Sequence, residues 1–238
     1  MNTELRFLFE AIARFDRYPA GIQKICGNEQ GNIFFPGGQG IFDPEQGKIS
    51  DKEIMIAGYQ FDRRMDFLKM HEKDQTKSRI NPAWANLLLL LFKGGIDPRH
   101  CFFTNVIPGV VVHNKIRKKS SPVTKRYFIE FSRSLFRLEV GIQKPEVILV
   151  LGLRAARFLS LLHPKLEGWA TLQNFGQADL KMLAIIERVP ITDTSEPTLV
   201  LLVHPDGRQR NIRRRKFRGF TGDNAEIRML SDVHREKP

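Results

Sequence analysis

Residues 146–152 read Glu-Val-Ile-Leu-Val-Leu-Gly, in which Val147 to Leu151 form an unbroken apolar run that stops at a glycine. A strand with one wet face alternates apolar and polar residues. A strand apolar at every position belongs in a sheet covered on both sides. Three other segments read as near-continuous apolar runs: 53–58 (EIMIAG), 101–106 (CFFTNV) and 198–203 (TLVLLV). Residues 180–187 (LKMLAIIE) read as a further strand, joined to 198–203 by a loop containing Pro190 and Pro197. Between the strands apolar residues recur at helical spacing. Residues 82–95 (PAWANLLLLLFKGG) predict a buried helix with Pro82 in its first turn and Gly94-Gly95 at its end. Residues 123–143, with Phe128, Phe131, Leu135, Leu138 and Ile142 on one face, predict a second, and 153–162 a third. An N-terminal helix is expected over 3–15, where Thr3 caps the start and Leu5, Leu8, Ile12 and Phe15 share a face.

Strands alternating with helices predict an α/β fold with a mainly parallel central sheet and helices on both faces. Ligands of such sheets bind beyond the carboxyl ends of the strands. That nominates the segments after Gly58, Val106, Gly152 and Val203. The Gly-rich stretch 27–48 reads as a loop. Its Gly37-Gly38-Gln39-Gly40 is not followed by the Gly-Lys-Ser/Thr of a phosphate-binding loop. No internal repeat or long linker interrupts the 238 residues. A single domain over 1–238 is expected, with core 53–218, an N-terminal helix and loop (1–52) and a C-terminal tail (219–238).

Charge is the outstanding compositional feature: 38 Lys+Arg against 26 Asp+Glu, net +12. Residues 113–126 hold six Lys/Arg and no acid; residues 204–218 hold seven and one acid, Asp206. The net charge is therefore concentrated in two segments, each following a strand at the same expected sheet edge. A basic run is often only a solvated surface, but two at one edge suit a polyanion such as nucleic acid. The longest apolar run, Leu87 to Phe92, is far short of the ~20 residues that span a bilayer. Glu4 and Glu10 interrupt the N-terminal apolar residues, so no signal peptide is expected. Two cysteines, Cys26 and Cys101, form neither a disulfide framework nor a four-thiolate cluster site. The histidines show no metal-ligand spacing. An intracellular chain without metal or cofactor is expected.

Four segments, in order, resemble the motifs of the uracil-DNA glycosylase superfamily. Residues 54–62 (IMIAGYQFD) resemble its first motif, a strand ending in Gly-x-Asp/Asn-Pro or Gly-Glu-x-Pro-Gly. Residues 102–106 (FFTNV) resemble the strand whose Asn reads the uracil edge. Residues 144–152 (KPEVILVLG), followed by Ala155 and Ala156, resemble a third segment. Residues 202–205 (LVHP) resemble the motif that is usually His-Pro-Ser. Order and spacing fit best the bacterial and archaeal iron–sulfur branch, over roughly residues 53–218.

The resemblance implies a three-layer α/β/α sandwich and hydrolysis of the N-glycosidic bond of a flipped deoxyuridine in DNA, by a monomer. In that role His204 stabilises the negative charge developing on the departing base. Gln60 holds the attacking water, with Asp62 a substitute carboxylate. Asn105 reads the base, since an amide both donates and accepts. Phe61, Tyr59 and Trp84 are candidates for stacking on it. Lys115, Arg117, Lys118, Lys119, Arg208, Arg210, Arg213, Arg214 and Arg215 are the expected DNA contacts.

The departures bear on catalysis. Gln60 stands where other branches have Asp or Asn, and an amide orients water but cannot act as a base. Asp206 replaces a phosphate-pinching Ser and repels phosphate unless paired with Arg208 or His204. The cluster cysteines are absent. A second reading follows: a glycosylase-like module that binds nucleic acid without turnover. A basic protein of the ribosome or of RNA processing explains the charge but not the four ordered motifs.

Overall fold

The computed structural model describes residues 3–24, 53–60, 82–111 and 125–235. Their elements, in chain order, are α1 (Thr3–Arg14), β1 (Ile22–Lys24), β2 (Ile54–Gly58), α2 (Pro82–Lys93), β3 (Cys101–Asn105) and β4 (Gly109–Val111). There follow α3 (Arg126–Gln143), β5 (Val147–Leu151), α4 (Gly152–Leu159), α5 (Phe175–Leu180), β6 (Ile185–Ile186) and β7 (Thr198–Leu202). The chain continues through α6 (Arg208–Asn211), β8 (Lys216–Phe217), β9 (Phe220–Thr221) and α7 (Asp223–Arg235). The expected loop 27–48 lies outside the described residues.

The central sheet has order β3-β2-β5-β7-β6. β3, β2, β5 and β7 are all parallel; β6 pairs antiparallel with β7 at one edge. The unbroken apolar runs have the expected cause. Met55, Ala57, Phe102, Ile148, Val150, Leu199 and Leu201 pack with Phe128 and Phe136 of α3 and with Ala155 and Leu159 of α4. The intervening residues Ile54, Ile56, Phe103, Leu149, Leu151, Val200 and Leu202 pack with Leu87 and Leu91 of α2 and with Met229 and Leu230 of α7. The result is an α/β/α sandwich, each buried aliphatic side chain contributing ~1.5–3 kcal/mol.

Two expectations are corrected. Residues 180–187 are not one strand. Asn174 caps α5 by accepting a hydrogen bond from Gln177 N–H (3.0 Å). The helix ends at Leu180, and only Ile185 and Ile186 join the sheet. The C-terminal stretch from 219 is likewise no simple tail. β8 and β9 form a hairpin, and α7 buries Ala225, Met229 and Leu230.

Under β3 the core holds a carboxyl group. Glu139 of α3 is buried, hydrogen-bonded to the Thr104 side chain, with Oε2 lacking a hydrogen-bond partner. Burial raises its pKa from 4.5 to about 8, the Thr104 hydrogen bond opposing this, so at neutral pH it is mostly protonated. Folding then takes up a proton that the unfolded chain releases. The stabilisation is fully present below the unfolded pKa and is lost as pH rises through about 8. Urea unfolding measured across that range should show stability falling with pH, and Glu139→Gln should flatten the fall. An unchanged slope in the variant would contradict this assignment.

Candidate functional site

The four parallel strands finish level at one edge. Gly58 of β2 lies opposite Asn105 of β3, Ala57 opposite Val150 of β5, and Leu151 opposite Leu202 of β7. Beyond Gly58 the chain stays joined to its neighbour. Val106 N–H donates to Gly58 O and Ile107 N–H to Tyr59 O, both at 3.0 Å. Tyr59 and Gln60 are thereby held half-buried alongside Val106 and Ile107, next to the buried Asn105. On the other side Gly152 has φ +90, and a Cβ on it would lie 3.0 Å from His204 Cβ. Glycine is required there, for the backbone conformation and for the close approach of the histidine. The edge therefore presents Asn105, then Tyr59 and Gln60, then Gly152 and His204. At ~4.8 Å per strand, β3 and β7 end roughly 14 Å apart.

His204 is exposed on a turn, Pro205–Gly207, that is fixed on three sides. Its Nδ1 accepts a hydrogen bond from Asp206 N–H at 3.2 Å. In the neutral imidazole the proton then sits on Nε2, which makes that atom a donor. Asn86 Nδ2 of α2 donates to Pro205 O (3.4 Å), and Val203 N–H donates to Glu226 of α7 (2.6 Å). Trp84 is carried by α2, the helix packed against this turn.

Glu226 opens onto a buried ion cluster that corrects two expectations. Arg208 and Arg215, expected to grip DNA, both point inward. Arg208 donates to Asp223 Oδ1 from Nε (2.9 Å) and Nη2 (2.6 Å), and its Nη1 donates to Glu226 Oε2. Arg215 is fully buried; its Nη2 donates to Leu201 O (2.7 Å). Its Nη1 lies 2.9 Å from Asp179 of α5 and its Nε 3.3 Å from Glu226. A guanidinium leaves water only where counter-charges await it, and three carboxylates do so here. Burial nonetheless pushes the Glu226 and Asp179 carboxyls up and the Arg215 guanidinium down, opposed by the charges they face. Arg208 is thus engaged away from Asp206.

The cations left on the surface of this segment include Arg210, Arg213, Arg214 and Lys216. Lys115, Arg117, Lys118, Lys119, Phe61 and Asp62 lie outside the described residues, as does the Trp84 side chain. Sequence reasoning overlooked Glu226, Asp223 and Asp179. The one available signal was the i,i+3 spacing of Asp223 and Glu226 on a helix face. Two cavities lie elsewhere. One is at the opposite sheet edge beside Glu146, Arg188 and Thr198; the other is among α2, α6 and α7 beside Asn86, Gln209 and Ile227. Neither is lined by Asn105, Gln60 or His204.

Among known proteins, the family model described as the uracil DNA glycosylase superfamily matches residues 45–228. No curated protein matches the chain.

The ion cluster makes its own prediction. Glu226→Ala leaves two buried arginines short of a counter-charge and should cost about 3–5 kcal/mol in urea unfolding, whereas exposed Arg213→Ala should stay within about 0.5 kcal/mol. Similar small losses in both would contradict the inward placement of the arginines.

Proposed function

The chain belongs to the uracil-DNA glycosylase superfamily, and from that premise we propose that it hydrolyses the N-glycosidic bond of a flipped uracil, or a related damaged base, in DNA. A base inside a duplex cannot be reached by hydrolytic groups, so it is first turned out of the stack. The observation that carries the reading is the hydrogen bond from Asp206 N–H to His204 Nδ1. With Nδ1 accepting from Asp206 N–H, the proton of a neutral imidazole is on Nε2, a donor at the edge shared with Asn105 and Gln60. In the reaction the C1′–N1 bond breaks with both electrons going to the base. The sugar becomes cationic and the base anionic, with charge on a carbonyl oxygen. His204 Nε2–H donates to that oxygen. Asn105 recognises the base by accepting from its ring N–H and donating to a carbonyl.

Water then adds to C1′ and gives up a proton, leaving free base and an abasic site. Gln60 orients this water but cannot take its proton, which passes to the anionic base or to solvent. The slower chemistry this implies leaves the electrostatic contribution of His204 as the larger share of catalysis. Arg210, Arg213, Arg214 and Lys216 neutralise phosphates, giving binding that weakens with salt.

The amide at Gln60 also favours a second reading, a module that binds DNA without turnover. One assay separates the two. Base release from a uracil-containing oligonucleotide is measured for the wild type and for His204→Ala. The hydrolase predicts turnover by the wild type and a loss of about 10²–10³-fold in the variant, with DNA affinity little changed. Tight, salt-dependent binding with no release of uracil or any other deaminated base by either protein would select the second reading.

A further inference from the structure

Asn105, the residue proposed to read the base, ends a strand with one neighbour. β3 lies at the edge of the central sheet and pairs with β2 alone, so among the described residues no strand supports its other side. Support reaches it from beneath. Side chains alternate along a strand. Cys101 and Phe103 pack on the α2 side of the sheet and Phe102 on the α3 side. Thr104, next to Asn105, therefore faces α3, where its hydroxyl meets the buried Glu139. Thr104 is itself fully buried, and its Oγ1 also points at Asn105 O, 3.5 Å away.

These contacts form a relay whose direction depends on one proton. A hydroxyl has a single hydrogen to give, and it can also accept. A protonated carboxyl donates to Thr104 Oγ1, and the Thr104 hydrogen is then available to Asn105 O. An ionised carboxylate only accepts. It draws the Thr104 hydrogen to itself, and Asn105 O loses that donor. The surroundings favour the protonated form. Glu139 Oε2 has no hydrogen-bond partner, and Gln143 Oε1, one helical turn further on, is likewise a buried acceptor without a donor. The other buried residues of α3 are Phe128, Ser132, Leu135, Phe136 and Val140, with Ser132 engaged by Phe128 O at 2.8 Å. The facing strands contribute Met55, Ala57 and Phe102. Tyr18 and Tyr59, packed against the same cluster, carry no charge at neutral pH. The charged groups of the adjoining helices are engaged elsewhere. Glu10 pairs with Arg14 on α1 (3.2 Å), and Glu130 with Arg133 on α3 (3.1 Å). Arg137 donates to Leu162 O and Arg157 of α4 to Leu172 O.

We propose that Glu139 is a positioning residue for base recognition: through Thr104 it fixes the backbone of Asn105, and loss of its proton releases that hold. This rests on the glycosylase reading for the role of Asn105. The relay itself can be read without DNA.

The first measurement follows the Asn105 carbonyl resonance by NMR in the isotope-labelled full chain. In the wild type it should shift as pH rises through about 8. Glu139→Gln should hold it still, because an amide donates to Thr104 Oγ1 at every pH. Thr104→Val removes the relay with Glu139 in place and should also abolish the shift. The second measurement is affinity for a duplex containing 2′-fluoro-deoxyuridine relative to the same duplex with deoxycytidine. The wild-type preference for uracil should fall about three- to tenfold over that pH range, the loss of one hydrogen bond. Glu139→Gln should match the wild type at neutral pH and stay level, which a merely structural role would not produce. Thr104→Val should show the lower preference throughout. A carbonyl that does not move with pH, or moves equally in either variant, would overturn the relay. A measurable uracil preference that stays level in the wild type, or falls equally in Glu139→Gln, would overturn its part in recognition. If the carbonyl titrates as expected but the wild type does not prefer uracil at any pH, the relay stands and the glycosylase reading fails.

Discussion

The carboxylate of Glu226 is the group on which the rest of the candidate site depends. It is fully buried, accepts the Val203 N–H one residue before His204, and faces both Arg208 and Arg215. Three chain segments meet there: the strand end that carries the histidine, the basic segment that follows it, and α7. Asp179 extends the cluster to α5. Each partner alone would be a costly buried charge. Together they fix the path of the backbone on both sides of the turn 205–207. Glu226 is thus a positioning residue, acting through Val203 on where the imidazole stands.

The cluster also changes the meaning of the charge. Two of the seven cations in 204–218 are spent on internal pairing, and Arg218 pairs with Asp232 at 2.8 Å. Arg210, Arg213, Arg214 and Lys216 remain on the surface. A basic segment that read as one continuous DNA grip divides into an internally paired part and an exposed set of cations.

The parallel sheet was legible because burial on both faces leaves near-continuous apolar runs, Ile54–Ala57, Cys101–Phe103 and Val147–Leu151, each short enough for a strand. Gly152 and His204 were legible as motif residues, though their contact was not. The run 180–187 was misread for a physical reason. Leu180 and Met182 are apolar yet exposed, and a hydrophobic pattern records residue type, not where the side chain points. α7 was taken as tail because few of its residues are apolar, and its stability draws on buried Glu226 as much as on Met229 and Leu230. Arg215 was taken as a surface cation because its partners Asp179 and Glu226 come from distant helices. Ion pairing of that kind has no local signature.

The central claim is that one sheet edge reads a flipped base with Asn105 and draws off its developing charge with His204. A crystal structure with duplex DNA containing a non-hydrolysable 2′-fluoro-deoxyuridine tests it most directly. The account predicts an extruded uracil with a carbonyl oxygen about 3 Å from His204 Nε2 and its ring N–H donating to the Asn105 side chain at a similar distance. A uracil still stacked in the duplex, or one bound away from both residues, would contradict it.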